Sequence, residues 1–169
     1  FMARTKSLPD VVVYAHLLQV LTDSGEKSAS FGVVSACCEL APATLAQRFG
    51  SVDSMVSAGL AWKWARLADT VIAAEGDALN SSKGAQALLK LLPSPTPQLL
   101  AISLRYEAGR QGAETWRGLV EQAIATRRGG GSKGRESAAL IFAAWQGRQM
   151  WEAAGGKSFR LADMMKAMP

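Results

Sequence analysis

The helical spacing of apolar residues is the feature that most constrains how this chain can fold. Between residues 52 and 75, apolar positions recur at intervals of four, three and four, at Leu60, Trp64, Leu67 and Val71. This spacing puts the four side chains on one face of a long α-helix. No stretch alternates apolar and polar residues for long between turn residues, so strands are not expected. The chain is therefore predicted to be all-α.

Proline, glycine and capping residues divide the chain into about nine predicted helices. Pro9 and Gly25 bound a first helix over residues 10–24, Ser30 caps a short second helix, and Pro42 opens a third. The run 127–135 contains four glycines and is predicted to be a mobile basic loop. The other predicted helices cover residues 52–75, 85–92, 99–108, 116–126, 136–154 and 159–168.

Composition excludes several classes of function. Two adjacent cysteines, Cys37 and Cys38, cannot form a disulfide framework, and His16 is the single histidine, so no metal site is expected. The same histidine count and the lack of a Gly-rich phosphate loop after a strand argue against an enzyme, and no cofactor is expected. No apolar run is long enough to span a bilayer and no signal pattern is present, so no membrane role and a cytoplasmic location are expected.

The second and third predicted helices are joined by three or four residues around Glu39 to Ala41. This is the connection length of a helix-turn-helix, in which the second helix lies in the DNA major groove and the first braces it across the backbone. Two short helices joined by a tight turn are also common without this function, so the spacing alone leaves both interpretations open.

A resemblance to a known family favours the DNA-binding interpretation. The matching positions are Gly25 at the end of helix one, Ser30 at the cap of helix two, Val34-Ser35 within it, Thr44-Leu45 in helix three and Phe49-Gly50-Ser51 before helix four. Together they make residues 13–60 resemble, without a gap, the N-terminal domain of TetR-type transcriptional regulators. Residues 138–147 are similar to the penultimate helix of that family. The chain departs from the family pattern at Glu39, Ala46 and Val52, where Gly, Tyr and Lys are usual.

The resemblance implies an N-terminal three-helix helix-turn-helix domain over residues 1–51. A C-terminal helical bundle over residues 52–169 would bind an effector and dimerise. The partner would be double-stranded DNA with a palindromic operator. Gln47 and Arg48 could read base edges, and Thr44 a phosphate or a thymine methyl group. The predicted DNA-binding residues are Arg4, Lys6, Ser30, Ala43, Thr44, Gln47, Arg48 and Lys63.

The resemblance also implies a hydrophobic effector cavity and a symmetric homodimer. Tyr106, Trp116 and Phe142 are the predicted ligand-binding residues for a small hydrophobic effector, although aromatic residues at helical spacing are often plain core. A face of small and apolar residues on the penultimate helix, together with the last helix, suits a four-helix dimer interface. The predicted interface residues are Leu140, Ala143, Ala144, Gly147, Trp151, Leu161, Met164, Met165 and Met168.

The charge distribution keeps a second function open. The net charge is +5, but residues 1–76 hold six basic and seven acidic side chains, a net charge of −1. Residues 77–169 carry thirteen basic and seven acidic side chains, a net charge of +6. Because phosphate neutralisation dominates affinity for DNA, two functions are predicted from this sequence: a TetR-like DNA-binding repressor, or a dimeric TetR-fold ligand-binding or interaction module that has lost specific DNA binding.

Overall fold

A computed structural model describes residues 8–76, 81–156 and 159–167. Within these ranges the chain forms nine α-helices and two short 3-10 turns, Glu26–Ser28 and Glu152–Ala154, with no strand, which confirms the all-α class. The helices are α1 (Asp10–Ser24), α2 (Phe31–Cys37), α3 (Pro42–Phe49), α4 (Val52–Glu75), α5 (Ser82–Leu91), α6 (Pro97–Ser103), α7 (Glu107–Arg127), α8 (Gly131–Trp151) and α9 (Leu161–Ala167). None of the described helices is long and apolar enough to cross a membrane.

The described residues group into two compact units that interleave along the sequence. Unit 1 draws on Phe1–Trp64 and Gln98–Gly112, and unit 2 on Ala65–Pro97 and Ala113–Pro169. The two units are defined by packing and say nothing about function. It stays a prediction that residues 1–51 bind DNA and that residues 52–169 bind an effector and dimerise.

The core of unit 1 is built from the apolar faces of α1 to α4. Val13 and Leu17 of α1 and Val34 of α2 are fully buried, as is Leu45 of α3. Gly25 ends α1 with φ 81, a conformation that glycine adopts without strain. Ser30 caps α2, and Pro42 stands at the start of α3 where its missing N–H is not needed. The predicted bounds of α1 and α4 are confirmed.

A buried hydrogen-bond chain ties residues 98–112 into unit 1. Trp64 Nε1 donates to Ser103 Oγ at 2.8 Å, and Ser103 Oγ donates to the Leu99 carbonyl at 2.7 Å. Gly112 lets α7 approach this site closely, because a Cβ atom there would stand 2.5 Å from Trp64 Cβ. The start of α7 is therefore packed directly on the indole.

The core of unit 2 is formed by one face each of the second half of α4, α5, α7, α8 and α9. Its buried apolar residues include Leu67, Val71, Leu88, Leu89, Val120, Ile124, Ile141, Trp145, Leu161, Met164 and Met165. The Leu60, Trp64, Leu67 and Val71 stripe predicted from the sequence is buried along its whole length.

Two predictions about the second half of the chain are wrong. The run 127–135 is not a nine-residue loop, because α7 continues to Arg127 and α8 begins at Gly131. Gly129, Gly130 and Gly131 have φ of 89, 68 and 65, so three glycines make a tight turn instead of a long loop. Predicted helices 99–108 and 116–126 are also displaced, since α6 ends at Ser103 and α7 begins at Glu107.

Candidate functional site

Residues 30–49 of unit 1 form a short helix, a turn and a second short helix. Ser30 Oγ accepts from the Val33 N–H at 3.2 Å and caps α2. At the other end, the Leu40 N–H donates to the Ser35 carbonyl at 3.0 Å. This is the 6→1 hydrogen bond of a Schellman motif, which closes the end of a helix. The connection is therefore residues 38–41, the length expected of a helix-turn-helix.

Glu39 occupies the left-handed position of this turn, where glycine is usual. Its φ is 54, which makes it the one non-glycine residue with positive φ in the described part of the chain. An L-residue in this conformation costs about 1 kcal/mol relative to glycine. The turn forms in spite of this cost because Val34 and Leu45, on its two sides, are both fully buried.

Helix α3 presents part of the predicted DNA-binding set to solvent. Ala43 and Gln47 are exposed and Thr44 is half-buried, while Leu45 points into the core. Lys63 of α4 is half-buried. Arg4 and Lys6 lie outside the described residues.

Arg48, the second predicted base reader, is held by the start of α1. Its Nη1 atom donates to the Leu8 carbonyl at 2.9 Å and to Asp10 Oδ1 at 3.0 Å, and its side chain is 22% exposed. The guanidinium therefore joins α3 to α1. Contact with a base edge would require Arg48 to give up both bonds.

Few cations of unit 1 remain available for phosphate. Its described residues carry five basic and six acidic side chains, and two of the five, Arg48 and Arg105, are already paired with carboxylates. The other three are Lys27, Lys63 and Arg110. The described residues of unit 1 therefore have a net charge of −1, as low as that of residues 1–76.

Glu26 connects the 3-10 turn before α2 to residues that lie about eighty positions later. Glu26 Oε1 accepts from Tyr106 Oη at 2.9 Å, and Glu26 Oε2 accepts from Arg105 Nη1 at 2.8 Å. Burial, and then the hydrogen bond to Glu26, raise the pKa of Tyr106 from 10.0 to about 12. The predicted ligand residue Tyr106 therefore lies in unit 1, bonded to the segment that precedes the helix-turn-helix.

The other two predicted ligand residues form an aromatic cluster in unit 2. The ring centroids of Trp116 and Phe142 are 5.7 Å apart, and Trp145 lies 6.2 Å from each. Trp116 and Trp145 are buried and Phe142 is half-buried. These distances are typical of packed aromatic pairs, so the three rings pack against one another between α7 and α8.

The predicted dimer residues divide between an exposed face and a buried core. On α8, Leu140 is 50% exposed and Trp151 66%, Ala143 is exposed, and Ala144 and Gly147 are half-buried. Met150, which is not among the predicted interface residues, is 47% exposed on the same helix. Leu161, Met164 and Met165 of α9 are instead buried within unit 2. Met168 lies outside the described residues.

No group of three or more His, Cys, Asp or Glu side chains able to hold a metal occurs among the described residues. No protein-family model matches the chain, and neither the curated proteins nor the solved structures compared with it give a significant match.

Proposed function

We propose that this protein is a TetR-like transcriptional repressor that binds DNA as a homodimer and responds to a small apolar effector. The observation that carries the proposal is the α2–turn–α3 unit, with a capped first helix, a four-residue connection and the exposed side chains of Ala43 and Gln47 on α3. This arrangement is the one that a recognition helix needs to enter the major groove.

Gln47 is the side chain best suited to read a base in this unit. It is exposed on α3, and its amide can bond both edge atoms of an adenine. Thr44, one turn earlier, could contact a phosphate or a thymine methyl group, and the amides behind the Ser30 cap could bind a phosphate. Arg48 keeps α3 on α1 in this proposal.

The proposed affinity for DNA is modest and falls steeply as the salt concentration rises. Arg4, Lys6 and Lys63 of two protomers give at most about six phosphate contacts, which corresponds to a slope of roughly −5 in log affinity against log salt. Binding should therefore be measured at low ionic strength.

The proposed dimer contact is the exposed face of α8. Leu140, Ala143, Gly147, Met150 and Trp151 follow one another at helical spacing, and small residues in the middle permit close approach of a second helix. Two such faces would pair as a self-complementary interface. Leu140→Glu should convert a dimer to a monomer in size-exclusion chromatography with light scattering. Ala139→Glu, at the neighbouring position of α8, tests whether the contact extends beyond this face.

A gel-shift experiment against the DNA upstream of its own gene tests the function. We expect a shift at low salt that Gln47→Ala weakens about tenfold, since one good bidentate base contact is worth about 1–3 kcal/mol. Gln19→Ala is the matched control, because Gln19 is exposed on α1, outside the reading unit. Absence of a shift at any salt concentration, with and without candidate effectors, would contradict the proposal.

A second candidate function is an interaction module of the same fold that has lost specific DNA binding. Two observations favour it: the described residues of unit 1 are net acidic, and the exposed surface of α2 and α3 is mostly uncharged, with Val33, Ala36, Cys37 and Ala43. Retention on heparin distinguishes the two candidates. Gln substitution of both Lys133 and Arg135 should abolish retention if only the α8 basic residues bind polyanions, and should leave most of it if the reading unit does.

A further inference from the structure

Glu26 is bonded to two donors that are consecutive in the sequence. Its Oε1 atom accepts from Tyr106 Oη at 2.9 Å and its Oε2 atom accepts from Arg105 Nη1 at 2.8 Å, so both carboxylate oxygens are bonded. Hydrogen bonds to an ionised carboxylate are stronger than those between neutral groups. The two bonds fix the position of the Glu26 side chain, and together they are called the Glu26 latch below.

One side of the Glu26 latch is rigid. Arg105 and Tyr106 form the corner between α6 and α7, where the Tyr106 N–H donates to the Ser103 carbonyl at 3.1 Å. Ser103 is fully buried and is bonded to Trp64 of α4. A Cβ atom at Gly109 would lie 2.6 Å from the Ser103 carbonyl oxygen, so the first turn of α7 packs directly on the corner. The α6–α7 corner is therefore anchored to the core of unit 1.

The other side of the latch is a short segment that follows a glycine. Glu26 opens the 3-10 turn Glu26–Ser28, which lies between the end of α1 and the Ser30 cap of α2. Gly25 precedes the turn with φ 81 and ψ 169, a backbone conformation that is essentially restricted to glycine. A Cβ atom at Gly25 would meet no other atom within 4 Å, so packing does not hold this residue. Gly25 is therefore the point at which the turn can pivot when Glu26 is released.

An open cleft of about 400 Å³ lies beside the latch, between the end of α1, the 3-10 turn and α6. Leu21 and Lys27 line one wall and Ile102 lines the other, while Glu26 and Arg105 bridge the two walls. Lys27 and Arg105 are both exposed. Because solvent reaches the bridge, water can replace the bonds of Glu26, and the net cost of opening the latch is small compared with that of breaking a buried contact.

We propose that the Glu26 latch is a conformational switch for the α2–turn–α3 unit. The closed latch holds the start of α2 against the α6–α7 corner, and the open latch lets α2 move relative to α4. Tyr106 directly precedes α7, so a tilt of that helix would pull on the latch. The proposal deepens the proposed function, on which it rests for the consequence that opening the latch weakens DNA binding.

Hydrogen exchange of the full chain without DNA, followed by mass spectrometry, tests the latch. In Glu26→Gln and in Tyr106→Phe, the amides of α2 should exchange about tenfold faster than in the original protein, because a hydrogen bond to a charged group is lost. The amides of residues 52–64 of α4 should exchange at an unchanged rate. Unchanged exchange of α2 in both variants, or equal acceleration of α2 and α4, would overturn the proposal, since equal acceleration is what a merely stabilising bond gives.

Glu107→Gln is the matched control, because it removes the same charge beside the corner from a carboxylate that bonds to Gln111 instead. It should leave the exchange of α2 unchanged. The double variant Glu26→Gln/Tyr106→Phe should exchange no faster in α2 than the more affected single variant, because both substitutions open the same contact. Multiplied effects of the two substitutions would overturn the latch.

A gel shift separates the latch from the proposed function. If the original protein binds its operator, Glu26→Gln should weaken binding severalfold and Glu107→Gln should not. Equal binding by all three proteins would overturn the regulatory role of the latch. If the exchange of α2 responds as expected but none of the proteins binds DNA under any condition, the latch stands and the DNA-binding function fails.

Discussion

Arg48 is expected to stabilise unit 1 instead of reading DNA bases. Its guanidinium donates to the Leu8 carbonyl at 2.9 Å and to Asp10 Oδ1 at 3.0 Å, and the side chains of the ion pair are 22% and 51% exposed. A hydrogen bond from a charged donor contributes about 1.5 kcal/mol, and a partly exposed ion pair about 0.5 kcal/mol. Arg48→Ala should therefore lower the free energy of unfolding by about 2 kcal/mol.

Thermal and urea unfolding followed by circular dichroism measure this effect. For a chain of this size, 1 kcal/mol shifts Tm by about 2–4 °C, so Arg48→Ala should lower Tm by about 4–8 °C. A double-mutant cycle with Asp10→Asn should give a coupling energy of about 0.5 kcal/mol. Gln47→Ala, the neighbouring exposed position, should leave Tm unchanged.

The opposite result would identify Arg48 as a base reader that Asp10 restrains. In that case Arg48→Ala would leave the free energy of unfolding within about 0.5 kcal/mol of the original, the range of an ordinary surface substitution. Asp10→Asn would then release the guanidinium and raise affinity for the operator. Either observation would refute the stabilising role.

Three further predictions follow from single side chains. Glu39→Gly should raise the free energy of unfolding by about 0.5–1 kcal/mol, measured by urea unfolding, because it removes the left-handed strain at φ 54. The same substitution removes a carboxylate, so it should also strengthen DNA binding in a gel shift. Because the pKa of Tyr106 is raised from 10.0 to about 12, its neutral phenol stabilises the fold fully below pH 10, and this contribution is lost as the pH rises from 10 towards 12. Stability measured against pH should lose that alkaline step in Tyr106→Phe. Arg127 is 4% exposed and donates to the Glu75 carbonyl at 3.1 Å, so Arg127→Ala should lower the free energy of unfolding by about 2–4 kcal/mol in a thermal unfolding experiment. Arg135→Ala is the control, because Arg135 is exposed, and it should lower the free energy of unfolding by less than about 0.5 kcal/mol.

The first four helices could be predicted from the sequence because their boundaries are local. Pro9, Gly25, Ser30 and Pro42 each act on their own backbone through a fixed φ, a permitted positive φ or a capping hydroxyl. The resulting bounds of α1 and α4 agree with the structure. The buried stripe of α4 was predictable for the same reason, since it depends only on helical periodicity.

The contacts of the charged side chains could not be predicted, because they join residues far apart in sequence. Glu26 and Tyr106 are eighty positions apart, and Arg48 and Asp10 are thirty-eight positions apart. Sequence alone gives Arg48 a charge suited equally to a phosphate, a base or a carboxylate. The structure shows which acidic neighbour the fold brings to it.

The glycine turn before α8 shows a different limit of prediction. A run of glycines and basic residues is typical of a mobile loop, and that was the prediction for residues 127–135. Three glycines with positive φ instead reverse the chain within a few residues. Arg127 is buried in unit 2, where it donates to carbonyl groups near the ends of α4 and α7. A tight turn and a long loop have nearly the same local composition.

A hydroxyl-radical footprint of the bound operator tests the central proposal most directly, because it reports the reading helices and the dimer together. The account predicts two protected patches on one face of the duplex, about one helical turn or a whole multiple apart, as two recognition helices of a symmetric dimer require. Both patches should disappear in Gln47→Ala at a protein concentration at which Gln19→Ala still protects them. A single patch, uniform protection, or no protection at low salt would contradict the account.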